Sequence, residues 1–143
     1  MAIAIQNIAA SYVLVKEANE YVLAVPGTSL VQEALFCGVN SMREVDKVAH
    51  LGLELCPSER ISVPGLKKAI ANIEIVKESV LDVGDHVLAV GRVVRFAVNT
   101  RRRELPLLSV GAYTKGYKVL AQKGVHRIGV VDARGMVPKS SRG

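Results

Sequence analysis

The sequence predicts a mainly β fold in which a small antiparallel β-barrel carries helices across one side. Two long apolar segments, Ala69–Val80 and His86–Asn99, flank the tight-turn sequence Val83-Gly84-Asp85 and therefore predict a hairpin. The other segments do not alternate strand and helix as a doubly wound parallel sheet requires. The 143 residues, of which 50% are hydrophobic, are enough for one domain with a real core.

The N-terminal elements are predicted to be a strand, a helix and a second strand. Ala2–Ile8 is short, apolar and rich in isoleucine, which is typical of a buried strand. Ser11 is a candidate N-cap for a short helix over Tyr12–Ala18. Tyr21–Val25 predicts the second strand, which the Pro26-Gly27 turn closes.

Two further helices are predicted before the long hairpin. Thr28 is placed to cap a helix over Ser29–Cys37, and Gly38 is placed to end it. The segment Ser41–His50 predicts the next helix, because its first residue and Glu44 stand in capping-box spacing. A connector bounded by prolines then leads into the hairpin.

The C-terminal part of the chain predicts short strands and a tail. Thr100–Glu104 is a charged loop, Pro106–Val110 is a short strand, and His126–Asp132 is a final one. Residues 133–143 show no periodic apolar pattern and predict a flexible basic tail. We therefore expect one domain over residues 1–132.

The net charge of +6 is distributed unevenly. Residues 1–91 contain 7 Lys and Arg against 11 Asp and Glu, whereas residues 92–143 contain 12 against 2. This difference indicates an anion-facing C-terminal region, and the Arg101–Arg103 run is consistent with anion binding or with a solvated loop. The run argues against a nucleic-acid reader, because aromatics would alternate with the cations and only Phe96 lies nearby.

Several protein classes are excluded by composition. No apolar run reaches the roughly 18–20 residues that span a bilayer, and Met1–Gln6 lacks the basic start and cleavage site of a signal peptide. We therefore expect a cytoplasmic protein that is not in a membrane. Cys37 and Cys56 are too few for a disulfide framework and form no CxxC metal motif, so no metal is expected.

Four stretches of the chain carry a resemblance to a known family. The first is SYVLVKEANEYVLAVPGTSLV, and the second runs from Cys37-Gly38 through Ser41 to Asp46-Lys47. The third is the Gly84-Asp85-His86 hairpin, whose second strand contains Gly91, and the fourth is PLLSVGAYTKGYKVL. Together they resemble the flavin reductase-like family, most closely its flavoredoxin-type branch, and this resemblance implies an FMN-binding split barrel. Gly91 also predicts a bulge or a close backbone approach.

The resemblance differs from the family pattern at the start of the chain. The sequence begins after the first strands that family members usually have, and Asn7–Ala10 contains no cation ahead of Ser11. Split barrels of this type usually dimerise, and Ala2–Ile8 would otherwise leave an unpaired strand edge. We therefore expect a homodimer with that strand at or near the interface.

The resemblance implies a flavin-binding redox protein that passes electrons between a reduced nicotinamide, or a protein partner, and FMN. The residues that it places at the cofactor are Asn7, Ser11, Ser41, Asp46, Lys47 and Tyr113. Lys47 would meet the phosphate, Asp46 would orient its segment, and Tyr113 would stack on a ring. No side chain is indicated as a catalytic group.

Each of these residues also has a structural interpretation. Ser11 and Ser41 could be ordinary caps, and Tyr113 and Tyr117, at helical spacing, could cover the open side of the barrel. His86 could donate a proton or simply pair across the hairpin. Two other functions stay open: a dimeric split-barrel module that has lost flavin, and an anion-binding module that uses the basic C-terminal region.

Overall fold

The structure is a computed structural model that describes residues 1–101, 103–110 and 116–119. The predicted strand His126–Asp132, the predicted tail 133–143 and Tyr113 lie outside these described residues. The strands are β1 Ala2–Gln6, β2 Glu20–Val25, β3 Leu55–Cys56, β4 Gly65–Leu66, β5 Ala71–Val83, β6 His86–Val98, β7 Leu107–Val110 and β8 Gly116–Val119. The helices are α1 Ser11–Glu17, α2 Val31–Val39, which follows a 3₁₀ turn at Thr28–Leu30, and α3 Lys47–Leu51.

The long hairpin forms as predicted and organises the fold. Its strands β5 and β6 each contain 13 residues and pair antiparallel, with Val83 opposite His86. Gly84 adopts φ 62° in the two-residue turn, a conformation that glycine takes without steric cost. Strands β1 and β2 complete a four-stranded antiparallel sheet of order β1-β6-β5-β2. The mainly β fold class is therefore confirmed.

The core lies on one face of this sheet. Residues two positions apart in a strand share a face, and both strands of the hairpin contribute buried side chains: Ile73 and Ile75 from β5, and Val87 and Ala89 from β6. Leu30 and Leu35, from the 3₁₀ turn and α2, are likewise buried. Burial of this kind is the main favourable term in folding.

The hairpin is bent by register shifts between Glu74 and Ile75 and between Lys77 and Ser79. Gly91 stands between them and is buried. A Cβ built on Gly91 would overlap Ile75 Cγ2 and lie 2.9 Å from both the Tyr21 hydroxyl and the Val76 carbonyl. The expected close backbone approach is therefore confirmed. Burial also raises the pKa of Tyr21, whose hydroxyl has no hydrogen-bond partner among the described residues.

Strand β1 lies at the edge of the described sheet, and the expectation that it is buried was wrong. It pairs with β6 alone among the described strands, with Ile3 opposite Ala89 and Ile5 opposite Val87. These two side chains are half-buried, whereas the residues between and beside them are exposed. Apolar composition indicated a strand but did not reveal its place in the sheet.

The helix caps differ from those predicted. Ser11 is the first residue of α1 rather than its N-cap, and the cap position Ala10 is itself helical in conformation. Thr28 begins the 3₁₀ turn without a capping bond, and the Ser29 amide donates to the Glu104 carboxylate at 2.9 Å. Gly38 does not end α2, which continues to Val39. Local sequence signals missed Glu104 because it lies 75 positions from Ser29.

The end of α1 is held by a lysine from the sheet. Lys77 Nζ donates to the carbonyl oxygens of Val15 at 3.1 Å and Lys16 at 2.6 Å, in the last turn of the helix. The last carbonyls of a helix have no partner within the helix and carry partial negative charge. Lys77 therefore fixes α1 against β5.

A buried carboxylate joins the connector before β4 to the sheet. Glu74 is only 2% exposed, and its oxygens accept the Glu59 amide at 3.1 Å and the Arg60 amide at 2.7 Å. Arg95 donates to Glu74 at 3.3 Å and also to the Glu59 carboxylate. Burial alone would raise the pKa of Glu74, but these hydrogen bonds and the Arg95 charge outweigh burial and lower it.

The start of β7 is bonded to the turn after β2. The Leu107 amide donates to the Pro26 carbonyl at 3.1 Å, and Pro106 forms a bridge with Gly27. The predicted strand at Pro106–Val110 is therefore confirmed. Strand β8 was not predicted, because the Tyr113–Tyr117 spacing had indicated a helix, and that interpretation is wrong for residues 116–119.

No helix within the described ranges is long and apolar enough to span a membrane.

Two glycine substitutions should change stability in opposite directions. Gly91→Ala should lower the free energy of unfolding by about 1–3 kcal/mol, because the added methyl group meets side-chain and backbone atoms in a packed site. Gly38→Ala, at an exposed position inside α2, should raise it by about 0.5–1 kcal/mol. Urea denaturation of both variants measures this, and a stable Gly91→Ala protein would contradict the close packing.

Glu74 should make stability depend on acid pH. Its lowered folded-state pKa means that its contribution is present above the ordinary value of 4.5 and is lost as pH falls through the folded value. Glu74→Gln should be less stable than wild type at pH 7, and the difference should shrink as pH falls. Glu78→Gln, which breaks the exposed pair with Arg92, is the matched control and should change stability little. A constant difference across this pH range would contradict the assignment.

Candidate functional site

The first group of predicted site residues lies where β1 meets α1. We call residues 7–11 the β1–α1 corner. The Asn7 amide donates to the Asp85 carbonyl at 3.0 Å, and Asn7 Nδ2 donates to the Gly84 carbonyl at 3.2 Å. Ser11 is half-buried at the first position of α1. The corner is thus fastened to the hairpin turn, which orients the start of α1.

His86 lies beside this corner. It pairs across the hairpin with Val83 and across the sheet with Gln6, as its structural interpretation expected. Its Nδ1 is 2.7 Å from the Asp85 carboxylate, which is largely exposed. The hydrogen bond and the charge of the imidazole lower the pKa of Asp85.

The second group lies where α2 is followed by α3. We call residues 37–47 the α2–α3 junction. Lys47 Nζ donates to the Cys37 carbonyl in the last turn of α2 at 2.6 Å. Beside it, the rings of Phe36 and His50 stack with centroids 4.7 Å apart and an interplanar angle of 13°. An ammonium at a helix C-terminus is electrostatically favourable, so the bond holds α3 against α2.

The predicted helix over Ser41–His50 is too long at its start, and its capping box is wrong. Ser41 instead forms a turn, in which its hydroxyl oxygen accepts the Arg43 amide at 3.2 Å. Asp46 is the N-cap of α3, and its Oδ1 accepts the amides of Val48 at 3.0 Å and Ala49 at 3.1 Å. Asp is among the strongest N-cap residues, and its carboxylate also favours the positive end of the helix.

The structure brings together three of the six predicted site residues. Ser41, Asp46 and Lys47 share the α2–α3 junction, whereas Asn7 and Ser11 share the β1–α1 corner. Within the described part of the chain, no hydrogen bond or ion pair joins the two groups. Helix α1 packs against β1 and β6, while α2 packs against the 3₁₀ turn and β8. Tyr113 lies outside the described residues.

The electrostatics of the junction are mixed. Burial raises the pKa of the Cys37 thiol, the Lys47 charge opposes this change, and Glu33 adds to it. The junction also contains the Asp46 carboxylate and the partly negative C-terminus of α2. Lys47 and Arg43 are the cations of the junction, and Lys47 has the Asp46 carboxylate and the C-terminus of α2 as negative neighbours.

Comparison with known proteins identifies the family to which this chain belongs. The family model named flavin reductase like domain matches residues 1–118, which include the four-stranded sheet, both groups of candidate residues, strand β7 and most of β8. The chain belongs to this family, as its sequence motifs had indicated.

The curated relatives are longer than this chain. An uncharacterized protein of Pyrococcus abyssi is 35% identical over 83 residues, which cover 58% of this chain and 47% of the relative. An uncharacterized protein of Archaeoglobus fulgidus is 34% identical over 96 residues, which cover 66% of this chain and 53% of the relative. The chain thus spans about half the length of the curated relatives it matches.

Solved structures share the fold. An FMN-binding protein of Thermus thermophilus, with bound p-hydroxybenzaldehyde, has a TM-score of 0.69 and 26% identity, covering 81% of this chain and 66% of that one. The nitrilotriacetate monooxygenase component B of Bacillus cereus has a TM-score of 0.69 and 23% identity, covering 85% and 69%. The split-barrel fold implied by the family resemblance is confirmed, and the sheet represents its curled half-barrel.

The β1–α1 corner and the α2–α3 junction carry hydrogen-bonding groups of the kinds that bind a flavin phosphate and the polar edge of its ring. Lys47 uses one of its three N–H donors within the described structure. The Ser41 hydroxyl accepts a hydrogen bond there, which leaves its own proton to donate. Asn7 likewise keeps an amide N–H and its carbonyl oxygen. The residues present therefore fit this group chemically, although each also has a structural contact.

The sequence identified Lys47 and Asp46 as residues of the junction but did not reveal the backbone groups that they contact. The acceptor for Lys47 is a main-chain carbonyl, and nothing in a residue's identity marks such an acceptor. Asp46 was singled out for another role, although Asp directly before Lys47-Val48-Ala49 is itself an N-cap signal. Asn40, whose Nδ2 donates to the Phe36 carbonyl at 2.9 Å, was also missed at the end of α2.

The capping assignment can be tested by paired substitutions. Asp46→Ala should lower the free energy of unfolding by about 1 kcal/mol, because two α3 amides lose their acceptor. Ser41→Ala should cost less, because its hydroxyl accepts only one amide in a turn. Thermal denaturation of both variants compares them, and an equal or larger loss for Ser41→Ala would refute the observed N-cap.

Proposed function

We propose that this chain binds a flavin, with FMN as the species, and serves flavin-dependent electron transfer. The observation that carries the proposal is the family match over residues 1–118, because it includes both the β1–α1 corner and the α2–α3 junction. The likeness to an FMN-binding protein at 26% identity supports FMN. When bound, the flavin supplies the redox chemistry, and the protein supplies binding, orientation and electrostatics.

The proposed roles follow the donors of each group. Lys47 and Ser41 hold the phosphate, since an ammonium and a hydroxyl form charge-assisted hydrogen bonds with phosphate oxygens. Asp46 acts as a positioning residue, because its cap fixes the start of α3 and with it the backbone of Lys47. Asn7 and Ser11 contact polar edges of the cofactor, and Tyr113 stacks on a ring.

We propose a reduced nicotinamide, or a redox protein, as the electron donor. A Streptomyces globisporus NADH:FAD oxidoreductase in complex with NAD and FAD fragments has the same fold, with a TM-score of 0.69 at 15% identity. The described residues form no group of His, Cys, Asp and Glu that could hold a metal ion. In the proposed role, the flavin carries the electrons.

We propose a homodimer in which the outer edge of β1 lies at the interface. In the described sheet, β1 pairs with β6 on one side only, and an open strand edge tends to be covered by another strand. The four apolar residues of β1, Ala2–Ile5, suit such an interface. The alternative function, a dimeric module without flavin, is favoured by the bonds that already engage Lys47 and Asn7.

Titration with FMN and riboflavin tests the proposal. Lys47→Ala should weaken FMN binding by about 1–3 kcal/mol, the range for a lost charge-assisted contact. Riboflavin, which lacks the phosphate, should bind wild type and variant almost equally. Lys67→Ala is the matched control, because that exposed lysine pairs with Glu54 at 2.8 Å and makes no hydrogen bond or ion pair with residues 37–47 among the described residues.

Lys47→Arg and circular dichroism separate binding from folding. The arginine variant keeps the positive charge and should retain most of the FMN affinity, while the spectrum checks that α2 and α3 remain folded. An unchanged FMN affinity in Lys47→Ala would remove this residue from the site. Purified protein that is colourless, and that FMN titration leaves unchanged, would refute flavin binding and favour the module without flavin.

A further inference from the structure

The loop between β3 and β4 is a hairpin loop with its own closing contacts. Strands β3 and β4 pair antiparallel with Cys56 opposite Gly65, so residues 57–64 connect two paired ends. The Ser58 hydroxyl donates to the Val63 carbonyl at 2.6 Å, which adds a bond across the base of the loop. The base is therefore held independently of the main sheet. We call residues 57–64 the strap.

Two carboxylates of the main sheet hold the middle of the strap. Glu74 accepts the backbone amides of Glu59 and Arg60. Glu20 Oε2 accepts both the amide of Ser62 at 2.8 Å and its hydroxyl at 2.7 Å. Three backbone amides of the strap are thus bound by side chains of β2 and β5.

The two carboxylates lie on the same face of the sheet. Val22 of β2 stands opposite Glu74 of β5, and Glu20 is two positions from Val22, so their side chains share a face. The strap therefore lies over the β2–β5 pair, with its first half at Glu74 and its second half at Glu20. Detachment of the strap would change this surface and leave the β2–β5 ladder in place.

Ser62 supplies the interactions that keep Glu20 ionised. The hydroxyl and amide bonds from Ser62 lower the pKa of Glu20, against a smaller effect of burial. Strand β5 places the neutral Val76 opposite Glu20, and the neighbouring Lys77 directs its ammonium to the α1 carbonyls. Since detachment of the strap removes Ser62, the pKa of Glu20 would then return to its ordinary value of 4.5. The Glu20 contact is therefore present above pH 4.5 and is lost as pH falls through the lower folded value.

Glu74 has a further source of charge stabilisation. The Arg95 guanidinium of β6 donates to Glu74 at 3.3 Å and also to the Glu59 carboxylate of the strap. Because Arg95 belongs to the sheet, it continues to act on Glu74 after the strap detaches and still favours a lowered pKa there. Acid should therefore release the Ser62 end of the strap before the Glu59–Arg60 end.

We propose that the strap is an acid-sensitive device in which neutralisation of Glu20 detaches the second half of the strap from the sheet. The sheet stays paired, and the half-buried Ile61 and Val63 become exposed on the detached loop. Hydrogen bonds to a charged acceptor are stronger than those to a neutral one, so loss of the Glu20 charge loosens the contact. The device does not require flavin, because no strap residue belongs to the β1–α1 corner or the α2–α3 junction.

Nuclear magnetic resonance of the full chain follows the strap as pH is lowered from 7 to below 4.5. The Ser62 amide proton should shift with a midpoint below 4.5, because its acceptor loses its charge, and should lose protection from exchange there. The Arg60 amide should respond only at lower pH. The Lys77 amide is the internal reference, because it donates to the Asn19 carbonyl at 2.8 Å next to Glu20 and should stay protected.

Trypsin tests the same release at pH 7 through cleavage of the Arg60–Ile61 bond within the strap. Glu20→Gln keeps the shape of the acceptor without its charge, so mass spectrometry should show this bond cut about fivefold faster than in wild type. Glu78→Gln is the matched control, because Glu78 forms an exposed pair with Arg92 in the same sheet, and it should leave the rate unchanged. Ser62→Ala removes one of the two bonds to Glu20 and should have a smaller effect than Glu20→Gln.

Several outcomes would overturn the proposal. Loss of Ser62 and Lys77 protection at the same pH would mean that the whole sheet unfolds in acid rather than the strap alone. Cleavage of Glu20→Gln at the wild-type rate, in protein that circular dichroism shows to be folded, would remove Glu20 as the controlling group. If Glu20→Gln did not fold, cleavage of Ser62→Ala at the wild-type rate would have the same meaning. Release of Arg60 before Ser62 would also overturn it, because control would then lie at Glu74.

Discussion

The pairing of β5 with β6 is the constraint on which the main sheet depends, because β1, β2, α1 and the β1–α1 corner are all attached to this one ladder. Its outer sides carry β1 and β2, and its core face buries Ile75 and Val87. Gly91 lies between two register shifts and lets the Tyr21 hydroxyl approach the backbone. A side chain at that position would push apart the strands whose turn holds Asn7 of the β1–α1 corner.

Charged side chains connect the helices and loops to this sheet mainly through backbone groups. Lys77 binds the last carbonyls of α1, and Glu74 binds two amides of the connector before β4. Lys47 does the same between α3 and α2. Hydrogen bonds to charged groups contribute more than neutral ones, and removing one partner leaves the other unsatisfied. The α2–α3 junction is therefore already ordered by groups that the proposed phosphate contact would use, so any ligand there competes with or extends an existing bond.

The sequence predicted more of the strands of the fold than of the contacts in the candidate site. The hairpin, the strand before α1 and the strand at Pro106–Val110 followed from apolar pattern and turn residues, which are properties of neighbouring positions. The caps were less predictable, because Ser41 and Asp46 both suit a helix start. The choice of Asp46 depends on where α2 ends and on the bond from Lys47 to Cys37, neither of which a local pattern contains.

The sequence by itself determined the mainly β class, the hairpin with its Gly84 turn, the family and the residue types of the two candidate groups, because these depend on short-range pattern and composition. Only the tertiary structure decided that β1 lies at the edge of the described sheet, that Glu74 is buried with Arg95, and that Asn7 and Lys47 lie in separate groups. These features arise from pairing between residues far apart in the chain. Their acceptors are largely backbone carbonyls and amides, which every residue carries and which only the folded chain brings within hydrogen-bonding distance.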